Sequence, residues 1–427
     1  MSEEGEPARR ESPTRAGVVA NVAWLTGANV LARPVWFLFT TLACMRLLGV
    51  ERFGEMISAL ALASSVTAIT EFGTNAYSIR EITRQPDRAS VLFSNLMAGR
   101  VVLTVIGTVT LGLVGVALGD SAPPASALVL AAVYALVLRL VEYCRAVFQA
   151  FEVLRFDAAS LLVEKALVVG LGMAGLLATR TASGVLGGMA AGVVLTWVWT
   201  VITVHRRFAP FRPGNLSLSV FFRAYRESFP IGVFSSATVL LLGSGAMLLE
   251  GLSTDEAVGL WGAAFRNIEL LLLLPTLVCT AALPRLAGLH HRGDGREFWR
   301  VLMWSGAVVG AGTAVLSVVV AFLAEPLLLL LGGGEFGAAA PVLRLAIWAY
   351  PWMGATMLLT QALIYMDDAW FAAGALVAAA LANVLYLAGT ISALGPLAPA
   401  YGLIGAHVLI SAAALWRLVR ARHPLPS

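Results

Sequence analysis

The sequence predicts an all-α polytopic membrane protein of about 12 transmembrane helices in two six-helix bundles. Its 427 residues are 59% hydrophobic and only 13% charged, whereas a soluble protein carries about 25% charged residues. Long apolar runs recur between short polar connections, and about 20 apolar residues at a rise of 1.5 Å each cross a hydrocarbon core of about 30 Å. A motif of the first half also returns in the second half, which indicates two equivalent bundles.

The repeated motif joins an acidic turn, an apolar residue followed by glycine, and a distant arginine. Residues 51–54 place an acidic turn before Phe-Gly, and residues 255–259 place one before Val-Gly, 205 positions downstream. An arginine stands 26 residues after the glycine in each copy, Arg80 in the first and Arg285 in the second. Because each half holds an even number of spans, both halves enter the membrane with the same orientation. The predicted pseudo-two-fold axis therefore runs along the membrane normal.

Run length and helix-breaking residues set the predicted boundaries. Residues 1–15 are polar and predict a disordered cytoplasmic tail. The N-terminal bundle is expected over 16–204 and the C-terminal bundle over 229–427. The predicted spans are 18–43, 54–75, 91–118, 126–149, 158–178, 183–204, 229–250, 257–283, 300–323, 340–364, 370–391 and 400–418. Pro275 and Pro351 interrupt two of them and predict bends.

Residues 205–228 form the longest internal polar connection. They combine basic residues with Phe221, Phe222 and Tyr225, which predicts a cytoplasmic amphipathic linker at the inner headgroup layer. Basic residues of the connections number 19 on one side of the membrane and 3 on the other. This asymmetry predicts that both termini lie in the cytoplasm.

Seven basic residues fall inside predicted spans. A charge at the centre of a spanning helix costs about 2.5–3.5 kcal/mol on insertion scales, so such residues normally face a bundle interior or a wet cavity. The three that lie deepest are the strongest candidates for a functional role, and the deep charges together predict a positively charged cavity between the halves. The seven residues are Arg33, Arg100, Arg139, Arg145, Lys165, Arg266 and Arg344.

Depth and neighbours separate these residues. Arg33 lies near mid-span, is followed directly by proline and has no acidic neighbour within a helical turn, so it is the best candidate to meet an anion. Arg100 lies about two turns from the cytoplasmic face. Arg145 and Lys165 lie near the cytoplasmic ends of their spans and Arg344 near an outer end, where snorkelling to the interface is the preferred interpretation.

The other two deep arginines each have a carboxylate three residues further along the chain. Arg139 precedes Glu142, and Arg266 precedes Glu269. Residues three apart share a helix face. Each couple is equally well interpreted as a structural ion pair or as part of a functional site.

Several other chemistries are not expected. The sequence has no phosphate-binding loop of the GxxxxGK[ST] type, no HExxH pattern, and three cysteines (Cys44, Cys144 and Cys279) inside apolar segments. The connections on the outer side are short and leave no room for a catalytic domain. We expect no enzyme, no cofactor, no metal and no nucleic-acid partner.

Three stretches resemble the polysaccharide flippases, the O-antigen and exopolysaccharide transporters of the multidrug/oligosaccharidyl-lipid/polysaccharide exporter superfamily. Residues 47–84 resemble the first two helices of that family. Residues 270–287 resemble its eighth helix, with a Pro-Arg exit at Pro284 and Arg285. Residues 327–348 resemble the short Gly-x-x-Phe turn before its tenth helix.

The resemblance implies two six-helix bundles that alternate between inward-open and outward-open forms. It implies a substrate in which an oligosaccharide is linked to polyprenyl diphosphate, with the bilayer, a polysaccharide polymerase and glycosyltransferases as partners. A diphosphate needs fixed cations, and arginine supplies several donors in one plane. The candidates to bind it are Arg33, Arg100, Arg139 and Arg266. The candidates to tune these charges or carry a coupled proton are Glu71, Glu142, Glu164 and Glu269.

Three other functions remain open. A drug/cation antiporter shares the architecture but prefers acidic residues in its cavity. A membrane glycosyltransferase or polymerase needs a sizeable outward loop, and a noncatalytic scaffold predicts that export survives neutralisation of the deep arginines. Coupling to the membrane potential, to protons or to sodium is not decided by the sequence.

Overall fold

The computed structural model describes residues 15–118 and 123–420. The tail predicted for residues 1–15 therefore lies outside the described residues, except for Arg15 at the start of the first helix. Sixteen α-helices make up most of the described part of the chain. They are α1 (Arg15–Phe37), α2 (Met45–Glu71), α3 (Thr74–Arg84), α4 (Ala89–Leu118), α5 (Ala125–Ala150), α6 (Leu154–Thr179), α7 (Ala182–Arg207), α8 (Leu218–Glu227), α9 (Phe229–Leu252), α10 (Asp255–Leu271), α11 (Leu273–His291), α12 (Gly295–Gly332), α13 (Ala340–Ala346), α14 (Ala349–Tyr365), α15 (Ala369–Leu394) and α16 (Ala398–Arg420).

These helices provide twelve membrane crossings. Nine stretches of the described residues are long and apolar enough to span a bilayer, and the bent pair α13–α14 makes a tenth. Two of the nine, residues 27–68 and 369–420, contain a residue with positive φ, Gly49 and Gly395 respectively. As straight helices they would extend about 60–80 Å, at least twice the hydrocarbon core. Each of the two therefore crosses twice, and the chain is a multi-pass membrane protein.

Helix packing repeats between the two halves. In the first half α6 contacts α7 and α1, and α5 contacts α7 and α4. In the second half α15 contacts α16 and α9, and α14 contacts α16 and α12. These are the same pairings displaced by six crossings, so the two bundles are equivalent in architecture. Helix α8 lies in the connection between them.

The repeated glycines form the contact that relates the halves. A Cβ atom on Gly54 would lie 2.0 Å from the carbonyl oxygen of Asp255, and one on Gly259 would lie 2.2 Å from the carbonyl oxygen of Val50. Asp255 and Gly259 are the counterparts of Val50 and Gly54 at the 205-residue offset. Helices α2 and α10 thus touch backbone to backbone in a symmetric contact, which only residues without a Cβ allow.

This contact lies at one end of the bundles, which is formed by the turns at 49–52 and 253–256. We call this end the outer end. The other end carries the arginine-rich segments 74–88, 205–228 and 285–300, and we call it the basic end. The two names follow the orientation that the basic-residue count predicts.

Both prolines lie at a break between two helices, and in each case a side chain donates a hydrogen bond to the carbonyl oxygen that the proline releases. Pro275 has no N–H group to donate to the carbonyl oxygen of Leu271, and α10 ends at Leu271. The hydroxyl of Tyr350 donates to the Leu271 carbonyl oxygen instead, at 2.5 Å. The break between α13 and α14 is a bend of 49°. Because an unsatisfied carbonyl in hydrocarbon costs several kcal/mol, the Tyr350 hydroxyl stabilises the break between α10 and α11.

The second proline is satisfied in the same way. Pro351 releases the carbonyl of Ile347, and the Ser317 hydroxyl of α12 donates to it at 3.1 Å. In this conformation both breaks are therefore stabilised by side chains of neighbouring helices.

Two boundaries differ from the prediction. The connection between the predicted spans 54–75 and 91–118 contains an additional helix, α3. Phe72 and Gly73 adopt left-handed conformations (φ +37° and +71°) and end α2 before it. The ninth span is longer than the predicted 300–323 and runs without a break through Pro326 to Gly332. The chain then turns at Gly333, whose φ is +88°.

Candidate functional site

Helices α1 and α10 face each other across a cavity of about 200 Å³. One wall comes from α1 and the π-helical turn that follows it, and the other comes from α10, so the cavity lies between the two bundles. Two of the predicted cations, Arg33 and Arg266, face it from opposite walls. The lining residues are Arg33, Trp36, Phe37, Thr40, Arg266, Glu269 and Leu270.

The α1 wall is shaped by the proline that follows Arg33. Helix α1 ends three residues after Pro34, and residues 38–44 continue as a π-helix. The Thr40 hydroxyl donates to the carbonyl oxygen of Trp36 at 2.9 Å. Trp36 stacks on Tyr134 of α5 with a centroid distance of 6.3 Å. These contacts attach the wall to the first bundle. The π-helical turn is wider than an α-helical turn, so the backbone at residues 38–44 packs less tightly next to the cavity.

The charges of the cavity do not cancel. Arg266 donates to Glu269 at 2.6 Å, with the two side chains 19% and 39% exposed. Arg33 is half-buried, and among the described residues it forms no ion pair. Two guanidinium groups and one carboxylate leave a formal charge of +1 in a partly desolvated site. Such a site favours an anionic ligand.

Arg139 occupies a separate triad. It donates to Glu142 at 2.7 Å and to Glu71 at 3.4 Å, and its side chain is 28% exposed. Arg139 is not among the residues that line the cavity of Arg33 and Arg266. In this conformation the triad is formally −1, and its arginine is already neutralised.

Arg100 is completely buried in the first bundle. It donates to the hydroxyl of Thr74, to Asn75 Oδ1 at 2.8 Å and to the carbonyl oxygen of Arg139 at 3.3 Å. Its guanidinium lies over the ring of Tyr143, 4.4 Å from the centroid. These contacts tie α3 to α4 and α5. In this conformation its side chain is inaccessible, so its contacts are those of a residue that holds the bundle together.

Replacing Arg100 should therefore destabilise the fold. Arg100→Gln leaves buried acceptors without donors, and each such group costs about 1–3 kcal/mol. We expect a thermal unfolding temperature in detergent several degrees below that of the natural chain. Arg84→Gln, which removes an exposed charge from the end of α3, should change it little. A natural unfolding temperature for Arg100→Gln would contradict a structural role.

Snorkelling was the wrong interpretation for Arg145 and Lys165. Both side chains pair with Glu164, which is 1% exposed; Lys165 approaches it at 2.7 Å. Glu164 is thus held between two cations inside the bundle. Arg344 does lie in an exposed position, 47% accessible, and pairs with Glu325 at 3.1 Å.

A second polar cavity, of about 320 Å³, lies within the first bundle. Glu142, Arg145 and Gln149 of α5 line it together with Asn75 and Asp157. This cavity was not predicted from the sequence as a site. The signal was present, because positions 142, 145 and 149 are three and four residues apart and so form one polar face of an otherwise apolar helix.

Helix α8 connects the halves at the basic end. The hydroxyl of Tyr225 donates to the carbonyl oxygen of Thr70 at 2.8 Å, and its ring stacks on Phe72 at 6.1 Å. Burial raises the pKa of Tyr225, so the phenol stays protonated and remains a donor. Phe222 on the opposite face is 63% exposed, as expected of a helix that lies on a membrane surface.

Comparison with known families identifies the chain. The sequence profile of a family described as polysaccharide biosynthesis protein matches residues 18–290, well over half of the sequence. The chain belongs to this polysaccharide biosynthesis protein family. The matched region covers the first bundle, α8, α9, α10 and nearly all of α11, and so includes both walls of the cavity. A comparison with curated protein sequences finds no significant match.

Several solved structures share the fold of this chain although their sequence identity to it is low. The lipid II flippase MurJ in an inward closed conformation has a TM-score of 0.72 and 12% identity, covering 93% of this chain and 87% of that chain. The multidrug transporter DinF-BH, solved as a ligand complex, has a TM-score of 0.67 and 16% identity, covering 97% and 99%. A transporter from Pyrococcus furiosus with reversed binding-pocket polarity has a TM-score of 0.66 and 13% identity, covering 96% of this chain and 98% of that chain. The fold is that of the multidrug/oligosaccharidyl-lipid/polysaccharide exporter superfamily.

Proposed function

We propose that the chain is a flippase that moves a polyprenyl-diphosphate-linked oligosaccharide from the inner to the outer leaflet of the bacterial cytoplasmic membrane, for surface polysaccharide synthesis. The observation that carries the proposal is the position of Arg33 and Arg266. They belong to different bundles and face the same cavity. A ligand bound by both is therefore held by the two parts that move relative to each other in an alternating-access cycle.

The chemistry of the cavity fits a diphosphate. Guanidinium groups offer several N–H donors in a plane that matches phosphate oxygens. Among the described residues, Arg33 has no carboxylate partner and Arg266 pairs with Glu269 alone. The headgroup of a diphosphate lipid would complete the coordination of both. The polyprenyl tail would stay in the bilayer, beside the gap between α1 and α10.

The remaining candidates take supporting roles in this proposal. Glu269 limits the positive charge next to Arg266, and Glu71 and Glu142 do the same for Arg139. We propose that Arg139 becomes available to the diphosphate when the triad opens, while Arg100 and Glu164 keep the first bundle in shape. The polar cavity of α5 would receive sugar hydroxyls. A dianionic headgroup that moves out of a negative interior gains about 2.3 kcal/mol per charge for each 100 mV, and the Glu71 and Glu142 carboxylates are our candidates for proton coupling.

Removal of the Glu269 charge should tighten anion binding. Glu269→Gln changes the formal charge of the cavity from +1 to +2. We expect several-fold stronger binding of a polyprenyl diphosphate, with a steeper dependence on salt because more of the binding energy becomes electrostatic. Thermal-shift titration with the diphosphate lipid at two salt concentrations measures both the affinity and its dependence on salt. Unchanged affinity would show that this cavity does not hold the anion.

Reconstitution tests the proposed function itself. The full chain is placed in proteoliposomes that contain a fluorescent polyprenyl-diphosphate-linked oligosaccharide, and a membrane-impermeant quencher reports the leaflet in which it lies. We expect exchange between leaflets that depends on the protein and fails with a neutral polyprenol-linked sugar. Equal exchange of charged and neutral lipids, or none, would contradict the proposal.

A drug/cation antiporter is the second candidate, favoured by one observation. The triad of Arg139, Glu71 and Glu142 is formally −1 and lies in the first bundle. Uptake of a fluorescent organic cation into the same proteoliposomes under an imposed proton gradient separates the two. Because the cavity between the bundles is positive, we expect no cation uptake.

A further inference from the structure

A second amphipathic groove lies on the second bundle, away from the cavity of Arg33 and Arg266. It runs between α11 and α12 and has a volume of about 590 Å³. One end carries two arginines and one glutamate, and the rest is apolar apart from Ser305. Its lining does not overlap with that of the proposed transport cavity. The apolar lining residues include Leu277, Val278, Ala281, Val301, Trp304 and Val308.

The polar end is arranged as an anion site. Arg285 and Arg300 both bind Glu297, at 3.0 Å and 2.6 Å. The carboxylate holds two guanidinium groups side by side, and it occupies one nitrogen of each. The arginine side chains remain 63% and 64% exposed. Their other N–H donors are therefore available, and the end of the groove has a formal charge of +1.

The dimensions of the apolar part match one leaflet of a bilayer. From Arg285 back to Leu277 along α11, and from Arg300 forward to Val308 along α12, the groove spans eight residues, or about 12 Å. Half of a hydrocarbon core of about 30 Å is about 15 Å. Trp304, 70% exposed, stands one turn from the charged end, the depth at which tryptophan concentrates in membrane proteins.

We infer that this groove binds a phospholipid with an anionic headgroup, from the leaflet at the basic end. The phosphate meets Arg285 and Arg300, and one acyl chain lies between α11 and α12. Charge complementarity selects an anionic headgroup over a zwitterionic one, since a choline or ethanolamine group would bring a second cation to a site that is already positive. Glu297 is a positioning residue that keeps the two guanidinium groups together.

Native mass spectrometry of the full chain in detergent tests the inference. The probes are phosphatidylglycerol and phosphatidylcholine with identical acyl chains, titrated separately. We expect one tightly bound phosphatidylglycerol and at least about a tenfold preference over phosphatidylcholine, because both lipids offer the phosphate but only phosphatidylcholine adds a cation that the net positive charge of the site repels. The double variant Arg285→Gln/Arg300→Gln should lose this preference.

A matched control removes the same charge from the same end of α11 and α12. Arg292→Gln/Arg296→Gln neutralises two arginines that do not line the groove, and it should retain the preference. If both double variants lose it equally, the lipid is attracted diffusely by the connection and the site does not exist. Absence of any preference in the natural chain would overturn the inference as well.

A third variant tests the apolar part without altering charge. Ala281 is exposed on the groove wall, so Ala281→Trp should fold and fill the groove. We expect it to reduce phosphatidylglycerol binding about tenfold with both arginines intact, since the side chain takes the volume of the acyl chain. Unreduced binding would place the lipid elsewhere. Failure of the proposed transport in proteoliposomes leaves all of these outcomes unaffected, because the measurement requires no flipping.

Discussion

Arg33→Gln and Arg266→Gln should each reduce flipping of a polyprenyl-diphosphate-linked oligosaccharide by about 10-fold to 100-fold. Each substitution removes a charge-assisted contact to phosphate worth about 1.5–3 kcal/mol, and 1.4 kcal/mol corresponds to a factor of ten. The two residues belong to different bundles and face one cavity. The double variant should therefore fall below detection, since no free cation then remains in the cavity wall.

The leaflet-exchange assay in proteoliposomes measures this effect. Arg33→Lys is the informative partial variant, because it keeps the charge but loses the planar set of donors, and we expect intermediate activity. Arg292→Gln, in the connection between α11 and α12, is the control for total charge and should be fully active. Natural activity in both single glutamine variants would exclude the cavity as the diphosphate site.

Gly54→Ala should prevent closure at the outer end and abolish transport. The added methyl group would lie 2.0 Å from the carbonyl oxygen of Asp255, a distance that backbone atoms cannot relieve without separating α2 from α10. Alanine is the better helix former by about 1 kcal/mol, so any loss of function comes from the contact and not from helix propensity. Gly259→Ala should have the same effect through the carbonyl of Val50, because the contact is symmetric.

Accessibility of a buried position checks this prediction. Ile57 lies in the α2–α10 interface, 7% exposed, and Ile57→Cys should react slowly with a membrane-impermeant maleimide in the otherwise natural chain. In the Gly54→Ala background we expect labelling at least about ten times faster, since the interface stays open. Gly251→Ala, where an added Cβ meets nothing within 4 Å, is the matched control. Equal labelling in all three backgrounds would show that the glycine contact does not close the outer end.

The sequence predicted the architecture well because hydrophobic length is a strong physical constraint. A helix needs about 20 mostly apolar residues to cross a bilayer, and it satisfies its backbone hydrogen bonds internally. The twelve crossings follow from that requirement. The repeat at residues 54 and 259 was also informative, since glycine at both positions is required by the backbone contact that relates the halves.

Boundaries and partners were less accessible to sequence reasoning. The end of α2 depends on the left-handed conformation of Phe72, a residue that rarely adopts it, and Gly73 is favoured there by its close approach to Gly232 of α9. Such a contact between residues 159 positions apart in the chain leaves no local pattern. The predicted spans 54–75 and 91–118 consequently left most of α3 in the connection between them.

The same limit applies to the charged residues. The local couples Arg139–Glu142 and Arg266–Glu269 were identifiable from a spacing of three, and both pairs are present. Burial of Arg100 could not be read from its position two turns inside the membrane, because its partners come from α3 and α5. The depth of a residue in the bilayer can be read from its position in an apolar run. Whether it faces a cavity depends on the helices that pack against it, and these are distant in the sequence.

A direct view of the bound headgroup tests the central claim, that cations of both bundles hold one diphosphate. The measurement is cryo-electron microscopy of the full chain in nanodiscs, with and without saturating polyprenyl-diphosphate-linked oligosaccharide. We predict new density between α1 and α10, within hydrogen-bonding distance of both Arg33 and Arg266, that is lost in the Arg33→Gln/Arg266→Gln variant. Diphosphate density elsewhere in the molecule, or density that persists unchanged in the double variant, would contradict the account.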